Sequence, residues 1–95
     1  MVVEISSGNA YQDYAFDGNR FMRYFSEGVE SDEMVWHRDE NDREVEVIKG
    51  HGWQFQYDNE MPKPIKEGDV LLIKAMEFHR LIKGKTELIL RITES

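Results

Sequence analysis

A chain of 95 residues is long enough for one modest hydrophobic core. Its 12 lysines and arginines against 19 aspartates and glutamates give a net charge of −7, which repels nucleic acid and anionic membranes. The sequence has no cysteine, so any metal site must use histidine, aspartate or glutamate. Because it also lacks a membrane-length apolar run and a signal-peptide pattern, we expect a cytoplasmic protein with no nucleic-acid or membrane partner.

The first third of the sequence reads as short strands separated by turns. Residues 2–5 are predicted to form an opening strand, and residues 20–25 a strand rich in aromatic side chains. Between them, residues 11–16 carry aromatic side chains at a spacing that fits neither a helix nor a strand, so we predict a loop or an edge strand there. Residues 33–37 are predicted to form another short strand, which a charged loop follows.

The remainder of the sequence alternates polar and apolar residues with the period of two that is typical of strands. Strands are predicted at residues 44–48, 53–57, 70–73 and 86–93, and His79 stands at the start of one more. No window carries the apolar stripe of a helix. About eight short strands with frequent turns predict an all-β sandwich or barrel, and we expect it to be closed so that no pairing edge is exposed.

One predicted strand has a wholly aromatic face. It consists of Trp53, Phe55 and Tyr57, which alternate with polar residues. Large aromatic side chains are most often buried, so we expect this face in the core or in a dimer interface.

A stretch in the second half of the chain resembles the second motif of the cupin superfamily, whose members are small β-barrels of the jelly-roll kind. That motif is a glycine, a β run, a proline, a small turn and a histidine. It is matched by Gly68, the run 70–73 and His79, while Lys74 and Met76 replace the usual proline and glycine. The resemblance covers about residues 34–92.

An earlier stretch resembles the first cupin motif, which is His-x-His, three or four residues, a glutamate, about six residues and a glycine. His37 matches the first histidine and Gly50 the glycine, and Asp39 replaces the second histidine. Counting forward from Asp39 puts Glu44 at the position of the glutamate, whereas counting back from Gly50 puts Arg43 there. Both assignments stay open. The resemblance implies that residues 1–95 form a single cupin-type jelly-roll barrel with little or no helix.

Metal-binding cupins hold Fe, Mn, Ni or Zn with three histidines and a glutamate that point into the barrel. Carried over by position, the resemblance implies His37 and His79 as ligands, Asp39 as an oxygen ligand in place of nitrogen, and Glu44 as a further ligand. Two imidazoles with one carboxylate suit Fe(II) or Mn(II). His51 lies between two glycines of a predicted turn, and we expect it to be exposed.

Three kinds of function are compatible with this resemblance. The first is a metal-dependent enzyme that acts on a small polar molecule inside the barrel. The second is a metal-free cupin that binds a small ligand or modifies a sugar by acid–base chemistry, with His79 as the base. Arg43, if it faced inward, would then pair with Asp39 in place of the metal. The third is a non-catalytic assembly or regulatory domain. We expect a homodimer, because so small a core is marginal alone.

Overall fold

The computed structural model describes residues 3–6, 11–28 and 32–95, within which nine strands form two antiparallel sheets. In chain order the strands are β1 (Val3–Ser6), β2 (Tyr11–Ala15), β3 (Arg20–Phe25), β4 (Arg43–Lys49), β5 (Gln54–Tyr57), β6 (Lys63–Pro64), β7 (Val70–Ile73), β8 (His79–Ile82) and β9 (Leu88–Glu94). One 3-10 turn, Asp32–Met34, is the helical element of the described residues. The predicted all-β fold with little helix is confirmed. None of the described helical structure is long and apolar enough to cross a membrane.

The larger sheet has six strands in the order β1-β2-β3-β9-β4-β7, and the smaller sheet has three in the order β6-β5-β8. The described strands therefore form two sheets of a jelly roll, and the expected closure into one hydrogen-bonded barrel is not found. The edge strand β7 is covered by another means. The hydroxyl of Tyr57, from the smaller sheet, donates to the carbonyl oxygen of Leu72 at 2.7 Å. A side chain thus satisfies part of an edge that would otherwise be free to pair.

The core lies between the sheets and follows the alternation of the sequence. Strand β9 buries Leu88, Leu90 and Ile92, and β4 buries Val45 and Val47. In the β4–β9 register, Val45 is opposite Ile92 and Val47 is opposite Leu90, so the two apolar faces coincide. The period-two alternation predicted for these two strands is confirmed.

Two segments differ from their prediction. Residues 11–16 contain β2, which pairs with β1 on one side and β3 on the other and is not an edge. The polar–apolar alternation of β2 is not visible in the sequence, because one of its inward-facing residues, Asp13, is charged. Residues 33–37 contain the end of the 3-10 turn and a single bridge at His37 instead of a strand. The predicted start of the first strand at residue 2 lies outside the described residues.

The aromatic face of β5 and the residue before it belongs to the core. Trp53 and Phe55 are buried, and Trp53 Nε1 donates to the carbonyl oxygen of Thr86 at 2.9 Å. Tyr57 is half-buried and packs against the same core. This face is therefore not available as a dimer interface, and the homodimer stays a prediction.

At Gly84 the segment that follows β8 passes close to the segment that precedes β5. A Cβ at this position would lie 2.3 Å from Trp53 Cδ1 and 2.6 Å from the carbonyl oxygen of His51. Because the backbone at His51 cannot easily yield, we expect Gly84→Ala to lower the free energy of unfolding by about 1–3 kcal/mol. Urea denaturation measures this change. Gly18→Ala is the control, since nothing lies within 4 Å of that position. Equal stability of the two variants would contradict the prediction.

Candidate metal centre

The candidate site is built on a bridge between the backbones of two histidines. The amide of His37 donates to the carbonyl oxygen of His79 at 3.1 Å. The amide of His79 donates in return to the carbonyl oxygen of His37 at 2.8 Å. In such an antiparallel pair the side chains lie on the same face. The two imidazole rings accordingly lie 4.4 Å apart, with His79 fully buried and His37 partly so.

The residues beside the two histidines pair on the opposite face of this bridge. The guanidinium of Arg80 lies 4.6 Å from the ring centre of Trp36, and that of Arg38 lies 5.1 Å from the ring centre of Phe78. Each such cation–π contact is worth about 0.5–1 kcal/mol at an exposed position. Both contacts help to hold the two segments together.

Both imidazoles have the same tautomer. His37 Nδ1 lies 2.8 Å from the carbonyl oxygen of Val35, and His79 Nδ1 lies 2.8 Å from that of Glu77. A carbonyl oxygen only accepts hydrogen bonds, so each Nδ1 carries the proton. In the neutral ring, Nε2 then has a free lone pair, which is the state required of a metal ligand.

Asp39 completes a group of three potential ligands. Its Oδ2 lies 3.2 Å from His79 Nε2, and one ligand atom from each of His37, Asp39 and His79 lies within 4.8 Å of the others. Among the described residues, no other group of three or more such side chains meets this criterion. His37 Nε2 and Asp39 Oδ2 are buried and make ion-pair contacts, at 3.2–3.4 Å, but no hydrogen bond of standard geometry. Buried polar atoms without a well-aligned hydrogen bond are rare, and a metal ion would give both atoms a stronger partner.

On one side, the site continues into a series of buried charges. Glu33 Oε1 lies 3.3 Å from His37 Nε2 and 3.5 Å from Arg23 Nη1. Arg23 in turn donates to both oxygens of Asp13, each at 2.7 Å. Asp13 and Arg23 are 3% and 5% exposed, so this two-pronged ion pair is shielded from water.

On the other side, Arg43 joins the site to the last strand. Its Nη1 lies 3.4 Å from Asp39 Oδ2, and its Nε donates to Glu94 Oε2 at 2.9 Å. Arg43 also lines a small interior cavity of about 20 Å³ together with Glu33, His79 and apolar side chains. It therefore faces inward and pairs with Asp39, as the metal-free alternative requires. A cavity of this volume has room for about one water molecule.

We call the whole set the ionic chain. In order it comprises Asp13, Arg23, Glu33, His37, His79, Asp39, Arg43 and Glu94. Its four carboxylates and two guanidiniums carry a net charge of −2 when both imidazoles are neutral.

The ionic chain shifts four pKa values; burial alone would lower the pKa of Arg23, but the carboxylates of Asp13 and Glu33 raise it. Burial alone would lower the pKa of His37, but the adjacent Glu33 carboxylate and, more weakly, Asp39 outweigh it and raise that pKa. Burial alone would raise the pKa of Glu33, but His37 and Arg23 lower it. Burial acts in the same sense on Asp39, whose pKa is nevertheless lowered by His79 and Arg43. Both carboxylates are therefore ionised at neutral pH.

The structure does not bring Glu44 to this group. Glu44 is exposed on β4, where its neighbour Val45 faces the core, and successive side chains of a strand point to opposite faces. The three other residues implied by the resemblance, His37, Asp39 and His79, do lie together. His51 is exposed, as expected.

Sequence reasoning missed Glu33, Arg23 and Asp13. Asp13 and Arg23 are direct partners in the β2–β3 register, so they form an opposite-charge pair across two strands. This pairing would have been visible if the strand alternative for residues 11–16 had been paired with the predicted strand at residues 20–25. Glu33 precedes His37 by four residues, which in an extended strand is a separation of about 13 Å. The 3-10 turn instead brings their side chains into contact.

Comparison with known proteins identifies the fold. No protein-family model matches this sequence, and no curated protein matches it either. Solved structures do match. The chain is similar to an RmlC-like cupin from Shewanella frigidimarina, with 21% identity and a TM-score of 0.70 over 100% of this chain and 82% of that one.

Two further solved structures are similar at lower identity. KdgF from a Halomonas species is 14% identical, with a TM-score of 0.67 over 97% of this chain and 86% of that one. The cupin domain of CENP-C from Drosophila melanogaster is 12% identical, with a TM-score of 0.70 over 99% and 75%. The protein thus has the double-stranded β-helix fold of the cupins, and the resemblance seen in its two motifs is confirmed for the fold.

The buried ion pair at one end of the ionic chain gives a stability prediction. Arg23→Gln leaves the buried Asp13 carboxylate without its two-pronged partner, so we expect a loss of about 3–5 kcal/mol in the free energy of unfolding. Chemical denaturation measures it. Lys49→Gln is the control, because Lys49 and Glu87 form an exposed pair that contributes little. Comparable midpoints for the two variants would contradict the prediction.

Proposed function

We propose that this protein binds a divalent transition-metal ion between His37, Asp39 and His79. One observation carries the proposal. Two imidazoles whose Nδ1 atoms are occupied by carbonyl oxygens, and one carboxylate, converge within 4.8 Å. Two of their facing atoms, His37 Nε2 and Asp39 Oδ2, are buried and make ion-pair contacts but no hydrogen bond of standard geometry. The orientation of the rings by backbone acceptors is typical of metal-binding histidines.

The charge of the site supports a divalent cation. The ionic chain carries a net charge of −2 with neutral imidazoles. Buried charge is destabilising unless it is compensated. One ion of charge +2 would neutralise the set and would at the same time be bound by the two neutral imidazoles.

The donor set favours certain metals. Without cysteine, the site offers no soft thiolate ligand. Two imidazoles and a carboxylate suit Fe(II) and Mn(II), and Zn and Ni also accept these donors. Glu33, whose Oε1 lies 3.3 Å from His37 Nε2, is a further carboxylate beside the group, whereas Glu44 is exposed. We propose that Glu33 strengthens binding through its charge.

A bound ion would act as a Lewis acid or as a centre for O₂ chemistry on a small polar substrate. The interior of the protein limits what can reach it. Since the cavity beside His79 has a volume of about 20 Å³, it admits a water-sized molecule. A larger substrate requires that Glu33 or Arg43, which line this cavity, move aside.

Metal binding is tested by calorimetric titration of chelator-treated protein with Fe(II), Mn(II), Ni(II) and Zn(II). We expect one ion per chain, and an increase in thermal midpoint because the ion binds the folded state. His37→Ala and His79→Ala should each weaken binding by about 100-fold or more, since each removes one ligand. His51→Ala should bind as the wild type does, because His51 is exposed and outside the group. Sub-stoichiometric uptake of all four metals would refute the proposal.

Two observations favour a metal-free function as the second candidate. Arg43 contacts the carboxylate of Asp39, so a positive charge is already present where the ion would be. His79 could then act as an acid or base oriented by Asp39, which it contacts at 3.2 Å. The small cavity also fits a non-catalytic assembly or regulatory domain whose barrel is a scaffold. If no metal binds, a change in thermal midpoint with small sugars or acids separates ligand binding from the scaffold alternative.

A further inference from the structure

Arg43 contacts two carboxylates at once. Its Nη1 lies 3.4 Å from Asp39 Oδ2, and its Nε donates to Glu94 Oε2 at 2.9 Å. Arg43 and Glu94 are direct partners in the β4–β9 register, so the pairing of the two strands holds this second contact in place. Asp39 comes from the segment that precedes β4.

The contact with Asp39 involves the same oxygen that faces the histidines. Oδ2 is the atom that lies 3.2 Å from His79 Nε2. The guanidinium of Arg43 keeps its proton at any physiological pH, so it presents a constant positive charge to this oxygen. A divalent ion on the same oxygen would be repelled by that charge, and strongly so in a partly buried site where screening by water is weak.

We propose that Arg43 is an internal competitor of the metal ion for Asp39, and that Glu94 determines how strongly it competes. The inference rests on the proposed metal site. Without metal, Arg43 divides its charge between the two carboxylates. When the ion binds, the guanidinium withdraws from Asp39 and keeps its hydrogen bond to Glu94. Glu94 therefore favours metal binding without contacting the ion, because it stabilises the Arg43 guanidinium after the guanidinium has left Asp39.

The surroundings of Arg43 leave space for this movement. Besides the interior cavity, Arg43 lines an open outer groove of about 340 Å³, together with Leu72, Lys74 and Thr93. The side chain thus stands between the interior and solvent. A change of rotamer toward the groove would carry the guanidinium away from Asp39 without displacing β4.

The first test is the metal affinity of Arg43→Gln, measured by calorimetry with Mn(II) at fixed pH and ionic strength. Removing the competing charge should tighten binding by about tenfold or more. Arg91→Gln is the matched control. Arg91 contacts Glu46 across the same two strands, but on the outer face, so its removal should leave the affinity nearly unchanged.

The second test is Glu94→Gln, which removes the carboxylate that draws Arg43 away. Metal binding should weaken severalfold in the wild-type background. In the Arg43→Gln background the same substitution should have almost no effect, because it acts through Arg43. An equal loss in both backgrounds would show that Glu94 acts only as a distant charge, which contradicts its assigned role.

The outcomes separate this inference from the proposed function. If the wild type binds metal and Arg43→Gln binds it equally or more weakly, the competition is refuted and the metal site stands. If Arg43→Gln binds metal and the wild type does not, the competition is supported and metal binding by the native chain is refuted. If neither binds, both fail. Urea denaturation establishes that each variant is folded. Should Arg43→Gln not fold, Arg43→Met, which keeps an unbranched side chain without the charge, takes its place in both tests, because Arg43 borders the apolar side chains of the cavity.

Discussion

Everything proposed for this protein depends on the pair of backbone hydrogen bonds between His37 and His79. The bridge fastens the segment before β4 to the first residue of β8, in the smaller sheet. Because paired residues of an antiparallel bridge place their side chains on one face, it also sets the two imidazoles side by side. The contact that joins two distant parts of the chain is thus the contact that builds the site. On the opposite face, Arg80 and Arg38 contact the rings of Trp36 and Phe78 and help to hold the two segments together.

The second constraint is the concentration of charge inside so small a protein. A core of this size has little stability in reserve, and each buried charge must be compensated. The ionic chain meets this requirement by alternating signs, so that every guanidinium contacts two carboxylates. Arg23 lies between Asp13 and Glu33, and Arg43 lies between Asp39 and Glu94. The two imidazoles occupy the middle, where the alternation lacks positive charge. A cation bound near the imidazoles would therefore compensate the buried negative charge, which favours the folded state, and would occupy the proposed metal site.

The strands with a regular alternation of polar and apolar residues could be predicted from the sequence. Features that depend on a single contact could not. The alternation in residues 88–92 and the spacing from Gly68 to His79 are local patterns, and an alternating strand at the first and a strand start at His79 are found where they were predicted. The fold class followed from them. Glu33 escaped prediction because a single 3-10 turn, not a periodic element, directs it to His37. Motif counting left open whether residue 43 or residue 44 faces inward. The pairing of β4 with β7 and β9 fixes the alternation of its side chains, and residue 43 faces inward.

The inward position of residue 43 alters what the departure from the cupin motif means. An arginine where a ligand carboxylate is usual adds one positive charge and removes one negative charge at the mouth of the site. On that ground alone the site would repel metal. Yet Glu94 lies directly opposite on β9 and binds the guanidinium, while Glu33 supplies a carboxylate from the other side. Two carboxylates outside the motif, Glu94 and Glu33, thus replace the negative charge that is missing at position 43. The net charge that faces the histidines is set by these neighbours, so the motif by itself cannot decide between a metal-binding and a metal-free site.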